Sequence, residues 1–207
     1  TSPAPPSGVA TATGGPAYTA PGTSTSTTTS ASDSSCPSTT QQLQFAQSLW
    51  PEAQRAARQL GVSPVSLLAQ AALETDWGRS MPRTAGGSTS NNLFGIKAGS
   101  TWSGASVQSA TREYAGGAAT AVKAQFRAYA SPSQCFQDYV SLLQSNPRYA
   151  DALGTGEDTQ AFATALQRGG YATDPGYAAK LGAVAGTLTR TLKSASALPT
   201  TPGSNTL

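Results

Sequence analysis

The chemistry open to this chain belongs to carboxylates, phenols and amides, because its 207 residues include no histidine. That removes Ser-His-Asp and Cys-His catalysis and every zinc site with a His ligand. Two cysteines are too few for a four-cysteine metal site. No GxGxxG or Walker-type loop occurs, so no nucleotide is implied. No cofactor and no metal is expected. The best-placed reactive side chain is Glu74, near the end of the stretch Ser63 to Arg79. Ser63 suits a helix N-cap and Pro64 the first helical position. Leu67, Leu68, Ala71 and Ala72 recur at helical spacing and predict a buried face. Glu74 closes that run, and Gln70 lies one turn earlier on the same side. A carboxyl at the end of a mostly apolar helix sits partly out of water, which raises its pKa. A protonated acid beside a cleft is what glycosidic cleavage needs as general acid. The competing reading is a surface glutamate near a helix end.

The elements that must position Glu74 follow from the rest of the chain. Residues 1–38 are a Ser/Thr/Pro/Gly/Ala stretch whose only charge is Asp33. Such a segment cannot offset its ordering entropy by burial and reads as a flexible linker. The start, without Met or leader pattern, reads as that of a fragment or a mature form. Gln41 to Leu60 carries an amphipathic helix that Pro51 either kinks or divides. Gly61 ends it, and the short connection makes it a near neighbour of the Ser63 helix. A Gly/Ser/Asn-rich loop leads to Asn92-Leu93-Phe94-Gly95-Ile96-Lys97. Strands are predicted through Val107–Tyr114 and Ala121–Tyr129, with Gly116-Gly117 between them. Ser131-Pro132 opens another helix, and Pro147-Arg148-Tyr149 a helical turn. Thr159 to Arg168 is closed by Gly169-Gly170. Thr173-Asp174-Pro175 caps a last helix to about Lys193, on which Tyr177 and Leu181 share a face.

Helices, a small sheet and helices again read as α+β, a mainly helical lobe beside a minor antiparallel β lobe. A cleft between them would have Glu74 on the helical wall and Glu113 on the sheet wall. The folded domain is expected over 39–193, followed by a disordered polar tail, 194–207. The net charge of +3 suits an anionic polymer. No Lys/Arg cluster or aromatic-basic stripe suggests nucleic acid, and no apolar run approaches the roughly 20 residues of a membrane span.

Three blocks carry a resemblance. They are Leu68-Ala-Gln-Ala-Ala-Leu-Glu-Thr-Asp-Trp-Gly-Arg79, Asn91-Asn-Leu-Phe-Gly-Ile-Lys97 and Gly170-Tyr-Ala-Thr-Asp-Pro-Gly-Tyr-Ala-Ala-Lys-Leu181. In this order, over roughly residues 40–193, the chain resembles glycoside hydrolase family 73. The resemblance implies a lysozyme-like fold and endo-β-N-acetylglucosaminidase activity on peptidoglycan glycan strands. It implies Glu74 as general acid and Glu113 as the second acidic position. Glu113 would activate water if the carboxyls stand about 6.5–9.5 Å apart. It would instead assist electrostatically or position the substrate if the substrate's own acetamido group attacks. Tyr177 matches a tyrosine lining the cleft near the acid, and Tyr171 is a second candidate of that kind. Asn91, Asn92 and Phe94 are candidates for substrate contact in the loop block. Trp102, in a polar loop, is a candidate for stacking on a sugar ring, whereas Trp77 reads as core. One departure stands out, because the family usually carries glycine where this chain has Asp76, which bears on how the helix ends. Flagellar members of the family imply a role in passing the rod through the wall, with rod proteins as partners through a preceding domain. Lytic transglycosylase activity and a non-catalytic wall-binding module are the alternatives.

Cys36 and Cys135 are either bridged or free thiols. A bridge would close a long loop, worth up to about 4–5 kcal/mol in the chain-entropy model, and would fit a periplasmic location.

Overall fold

The computed structural model describes residues 36–115 and 118–197, with the side chains of 112–120 and 197 outside the description. Of the expected linker only 36–38 is described, and Ser38 already belongs to the fold. Its hydroxyl accepts from the Gln41 N–H while the Gln41 side chain accepts from the Ser38 N–H, a capping box that opens α1 (Thr39–Leu60). Pro51 lies inside α1 without dividing it. α1 stops at Gly61, whose φ of 67° and close approach to Gly154 leave no room for a side chain.

Ser63 caps α2 (Pro64–Thr75), and its hydroxyl also donates to Glu157 Oε2 at 2.7 Å. α2 is the central helix, packed against α1, α4 (Thr159–Arg168) and α5 (Tyr177–Ala197). Leu67, Leu68, Ala69 and Ala71 are fully enclosed, and so is Gln70. A helix buried on nearly every side is apolar nearly all round, which is why Gln70 stands out on it. Each buried leucine contributes about 1.5–3 kcal/mol.

β1 (Ser106–Ala115) and β2 (Ala118–Arg127) form an antiparallel hairpin with Ser106 opposite Arg127 and Ala115 opposite Ala118. The strands run closer together than expected, because Ala118 and Ala119 carry no alternating signal. A lone two-stranded hairpin is marginal in water, and this one is fastened at its base. The Arg127 N–H donates to Ile96 O and the Ala98 N–H to Gln125 O, both at 2.9 Å. Arg127 pairs with Asp138 of α3 (Pro132–Ser145) at 2.7 Å, and the Tyr129 hydroxyl donates to the same carboxylate at 2.7 Å. A 3₁₀ turn, Pro147–Ala152, leads to α4. Asp174 turns the chain into α5 by accepting from the Gly176 N–H at 2.8 Å. α5 extends past Lys193 to Ala197, so the first residues of the expected tail are helical.

Candidate active site

Glu74 sits in the last turn of α2 and is 6% exposed, which rules out the open-surface reading. The fold brings three phenols to it from distant parts of the chain. Tyr177 comes from the first turn of α5, Tyr139 from α3, and Tyr171 from the segment after α4. Tyr139 and Tyr171 are fully buried and Tyr177 nearly so. Burial holds all three phenols well above their ordinary pKa, and the nearby Glu74 carboxylate pushes in the same direction. They therefore stay neutral hydroxyls, able to give and receive hydrogen bonds.

Two of those hydroxyls belong to a chain that leads to the acid. The Tyr139 hydroxyl donates to Gln70 Oε1 at 2.5 Å. Gln70 Nε2 donates to the Tyr177 hydroxyl oxygen at 3.0 Å. The Tyr177 hydroxyl lies beside Glu74, whose negative charge helps keep the phenol protonated. Tyr171 serves differently, donating to Phe94 O at 2.7 Å and tying the loop block to the α5 side.

The backbone just after Glu74 is strained. Asp76, Trp77 and Gly78 take φ values of 49°, 57° and 82°, so α2 ends in three left-handed residues, two of which are not glycine. Such residues cost about 1–2 kcal/mol each, least for Asp. The surroundings hold them in place. The Asp76 and Trp77 N–H groups both reach Ala72 O, and the Thr75 hydroxyl accepts from the Gly78 N–H at 2.9 Å. Asp76 pairs with Arg79 at 2.8 Å, and the Trp77 ring meets Phe45 edge-on at 5.9 Å. The helix thus ends as a glycine would end it.

Several expected site residues turn inward. Asn92 is 1% exposed, and its amide is spent on the backbone. Nδ2 donates to Ile96 O at 2.8 Å and Arg127 O at 2.9 Å, while Oδ1 accepts from the Ile96 N–H at 2.9 Å. It splices the loop block to the hairpin base. Phe94 is fully buried, stacked on Tyr139 at 3.9 Å between ring centres. Asn91, half-buried with φ 51°, donates to Tyr129 O at 3.0 Å. Asn92, Phe94 and Tyr171 brace the wall of the site and present no surface to a sugar. Trp102 is half-buried; its Nε1–H donates to Ala105 O at 3.0 Å, and the Arg127 guanidinium lies 4.4 Å from its ring centre. Tyr177, expected to line the cleft, is 2% exposed, its hydroxyl accepting from Gln70 close to Glu74.

Glu113 lies in β1 opposite Thr120, but its side chain falls outside the described residues. Both cysteines are free. Cys36 is exposed ahead of α1, whereas Cys135 is enclosed in the first turn of α3, its sulfur accepting from the Leu93 N–H at 3.3 Å. A sulfur held inside the core cannot meet a partner at the surface, so the bridged alternative is not realised. Burial pushes the Cys135 thiol up to about 12, which makes it unreactive. Among the described residues no cluster of His, Cys, Asp and Glu could hold a metal, and no helix is long and apolar enough to cross a membrane.

Sequence reasoning did not single out Tyr139 as part of the site. The available signal was weak, a lone phenol on α3 and an amide one turn before the acid.

A central buried helix ending in a carboxyl, inside a helical lobe with an anchored hairpin, defines the class as lysozyme-like. Residues 50–190 match the family described as Glucosaminidase, mannosyl-glycoprotein endo-beta-N-acetylglucosaminidase. The chain belongs to this family, glycoside hydrolase family 73. It is 51% identical over 142 residues to the peptidoglycan hydrolase FlgJ of Pseudomonas aeruginosa, covering 69% of this chain and 36% of that protein. The chain therefore spans little more than a third of the length of that relative. Among solved structures, a peptidoglycan hydrolase mutant from Sphingomonas sp. A1 superposes with a TM-score of 0.70 at 49% identity, covering 73% of this chain and 98% of that one. The glycoside hydrolase domain of Salmonella typhimurium FlgJ gives 0.61 at 40% identity, covering 75% and 92%.

Proposed function

We propose that this chain is a peptidoglycan hydrolase, an endo-β-N-acetylglucosaminidase cleaving the β-1,4 bond after N-acetylglucosamine. The observation that carries the reading is the enclosed Glu74 carboxyl with the Tyr177 phenol beside it. A carboxyl so far from water is costly to ionise, which suits an acid that must hold a proton until the glycosidic oxygen arrives. Glu74 protonates that oxygen as the bond to the anomeric carbon breaks. Glu113, on the hairpin, either takes a proton from the attacking water or supports attack by the substrate's acetamido group. The family description and the names of the relatives support the substrate class. The resemblance to flagellar members of the family is what suggests service to the flagellar rod in the periplasm, with rod proteins as partners of a larger protein.

Glu74→Gln should lower turnover of purified peptidoglycan by 100-fold or more, about what losing a general acid costs. Its melting temperature should stay close to wild type, since the amide is nearly isosteric. Retained activity would remove Glu74 from the mechanism. Mass analysis of the products reads the bond cut: new N-acetylglucosamine reducing ends are expected, and anhydromuramyl ends would mean transglycosylase chemistry. Protein that binds walls without releasing fragments would be a binding module.

A further inference from the structure

We propose that Tyr139 is a positioning residue for the acid proton of Glu74, acting through Gln70 and Tyr177. The inference rests on the reading of Glu74 as general acid. Its starting point is the orientation of the Gln70 amide. The 2.5 Å contact with the Tyr139 hydroxyl has the length of an O–H···O bond, and the 3.0 Å contact with the Tyr177 hydroxyl that of an N–H···O bond. So the amide oxygen faces Tyr139 and the amide nitrogen faces Tyr177.

That orientation has a direction. An amide oxygen only accepts, so Tyr139 must donate to it. The amide nitrogen only donates, so the Tyr177 oxygen accepts from it. The proton of Tyr177 is then free to point at Glu74. A protonated carboxyl that receives this hydrogen bond on one oxygen keeps its own proton on the other, directed away from Tyr177 and available to the leaving group. Reversing the chain reverses the outcome. With the amide turned over, Tyr177 would donate to Gln70 and accept the Glu74 proton, which would then point into the core. Gln70 and Tyr139 are fully enclosed and Tyr177 is 2% exposed. Water is therefore kept from substituting for a lost donor, and in such surroundings each bond enforces the next.

The test compares wild type, Tyr139→Phe, Tyr177→Phe and the double variant on soluble peptidoglycan glycan fragments, with kcat, KM and melting temperature measured for each. Tyr139→Phe frees the amide to turn, and should lower kcat about tenfold, a fraction of what a general acid supplies. KM should stay within about twofold, because Tyr139 does not meet the substrate. On the Tyr177→Phe background the same substitution should cost less than about twofold in kcat, the coupling expected of residues acting in series. Wild-type kcat in Tyr139→Phe overturns the proposal, as does an equal loss on both backgrounds or a loss confined to KM. Should Tyr139→Phe not fold, Gln70→Met on the two backgrounds must give the same pattern or the proposal fails. An inactive Glu74→Gln alongside a fully active Tyr139→Phe would sink this inference alone. An active Glu74→Gln would sink the functional reading beneath it.

Discussion

Asp76 shows how one residue type at a helix end is made to serve. It takes the left-handed backbone that glycine adopts most readily, and its carboxylate is compensated by Arg79 at 2.8 Å on a surface both share with solvent. Exposed pairs of this kind contribute at most about 1 kcal/mol, and the left-handed backbone costs Asp a similar amount. Asp76→Gly is therefore expected to change unfolding free energy by less than about 1 kcal/mol and to leave turnover intact. Urea unfolding alongside a turnover assay checks both. A large loss would mean that the Asp76 carboxylate holds Glu74 in place. Asn92 is the opposite case. Its amide joins three backbone groups from two segments, so its identity reports the architecture of the loop and not contact with a sugar.

Among the elements, α2 holds the acid, and its start matters as much as its end. The Ser63 hydroxyl satisfies the Val65 N–H at 3.3 Å and reaches Glu157 in the segment before α4 at 2.7 Å. Ser63→Ala removes the cap and this tie together. A loss of about 1–2 kcal/mol is expected, read as a lower urea midpoint. kcat should be unchanged, since Glu74 lies three turns away and is held by its own partners. A drop in kcat at full folding would show that the helix shifts along its axis when uncapped. The hairpin is the other element with a clear logic. Arg127, Tyr129 and Asp138 fasten its base to α3, and Asn92 fastens it to the loop block. Glu113 therefore rides on a strand whose origin is fixed. An apolar groove lined by Trp50, Pro51 and Leu192 lies between α1 and α5, and none of its lining residues belongs to α2.

For the whole molecule, the enclosed phenols make stability depend on alkaline pH. Burial raises Tyr129, Tyr139, Tyr171 and Tyr177, and it raises Cys135 to about 12. In the unfolded chain a thiol ionises near about 8.5 and a phenol near about 10. As pH rises the unfolded chain loses these protons first, so it is the unfolded state that gains. The stabilisation is whole below about pH 8.5, declines above it, and falls steeply above about 10 at up to roughly 1.4 kcal/mol per pH unit for each group. Urea midpoints at neutral pH and near about pH 10.5 should differ widely. An unchanged midpoint would show that these hydroxyls reach water.

Much of this architecture was legible in local chemistry. Ser63-Pro64 and Ser131-Pro132 announce helices that begin where they stand, and α4 runs from Thr159 to Arg168 as its flanking residues predict. Caps, periodicity and glycine act over a few residues, so the chain alone determines them, and it also determines that Glu74 ends a buried helix. What the acid touches was decided only by folding. Gln70 meets Tyr139 and Tyr177 across 69 and 107 residues of chain, and no local pattern records such distances. The two thiols, equally bridgeable on paper, were separated because one of them packs into the core. The direction of a proton is set by which partners the tertiary structure crowds around it where water cannot follow.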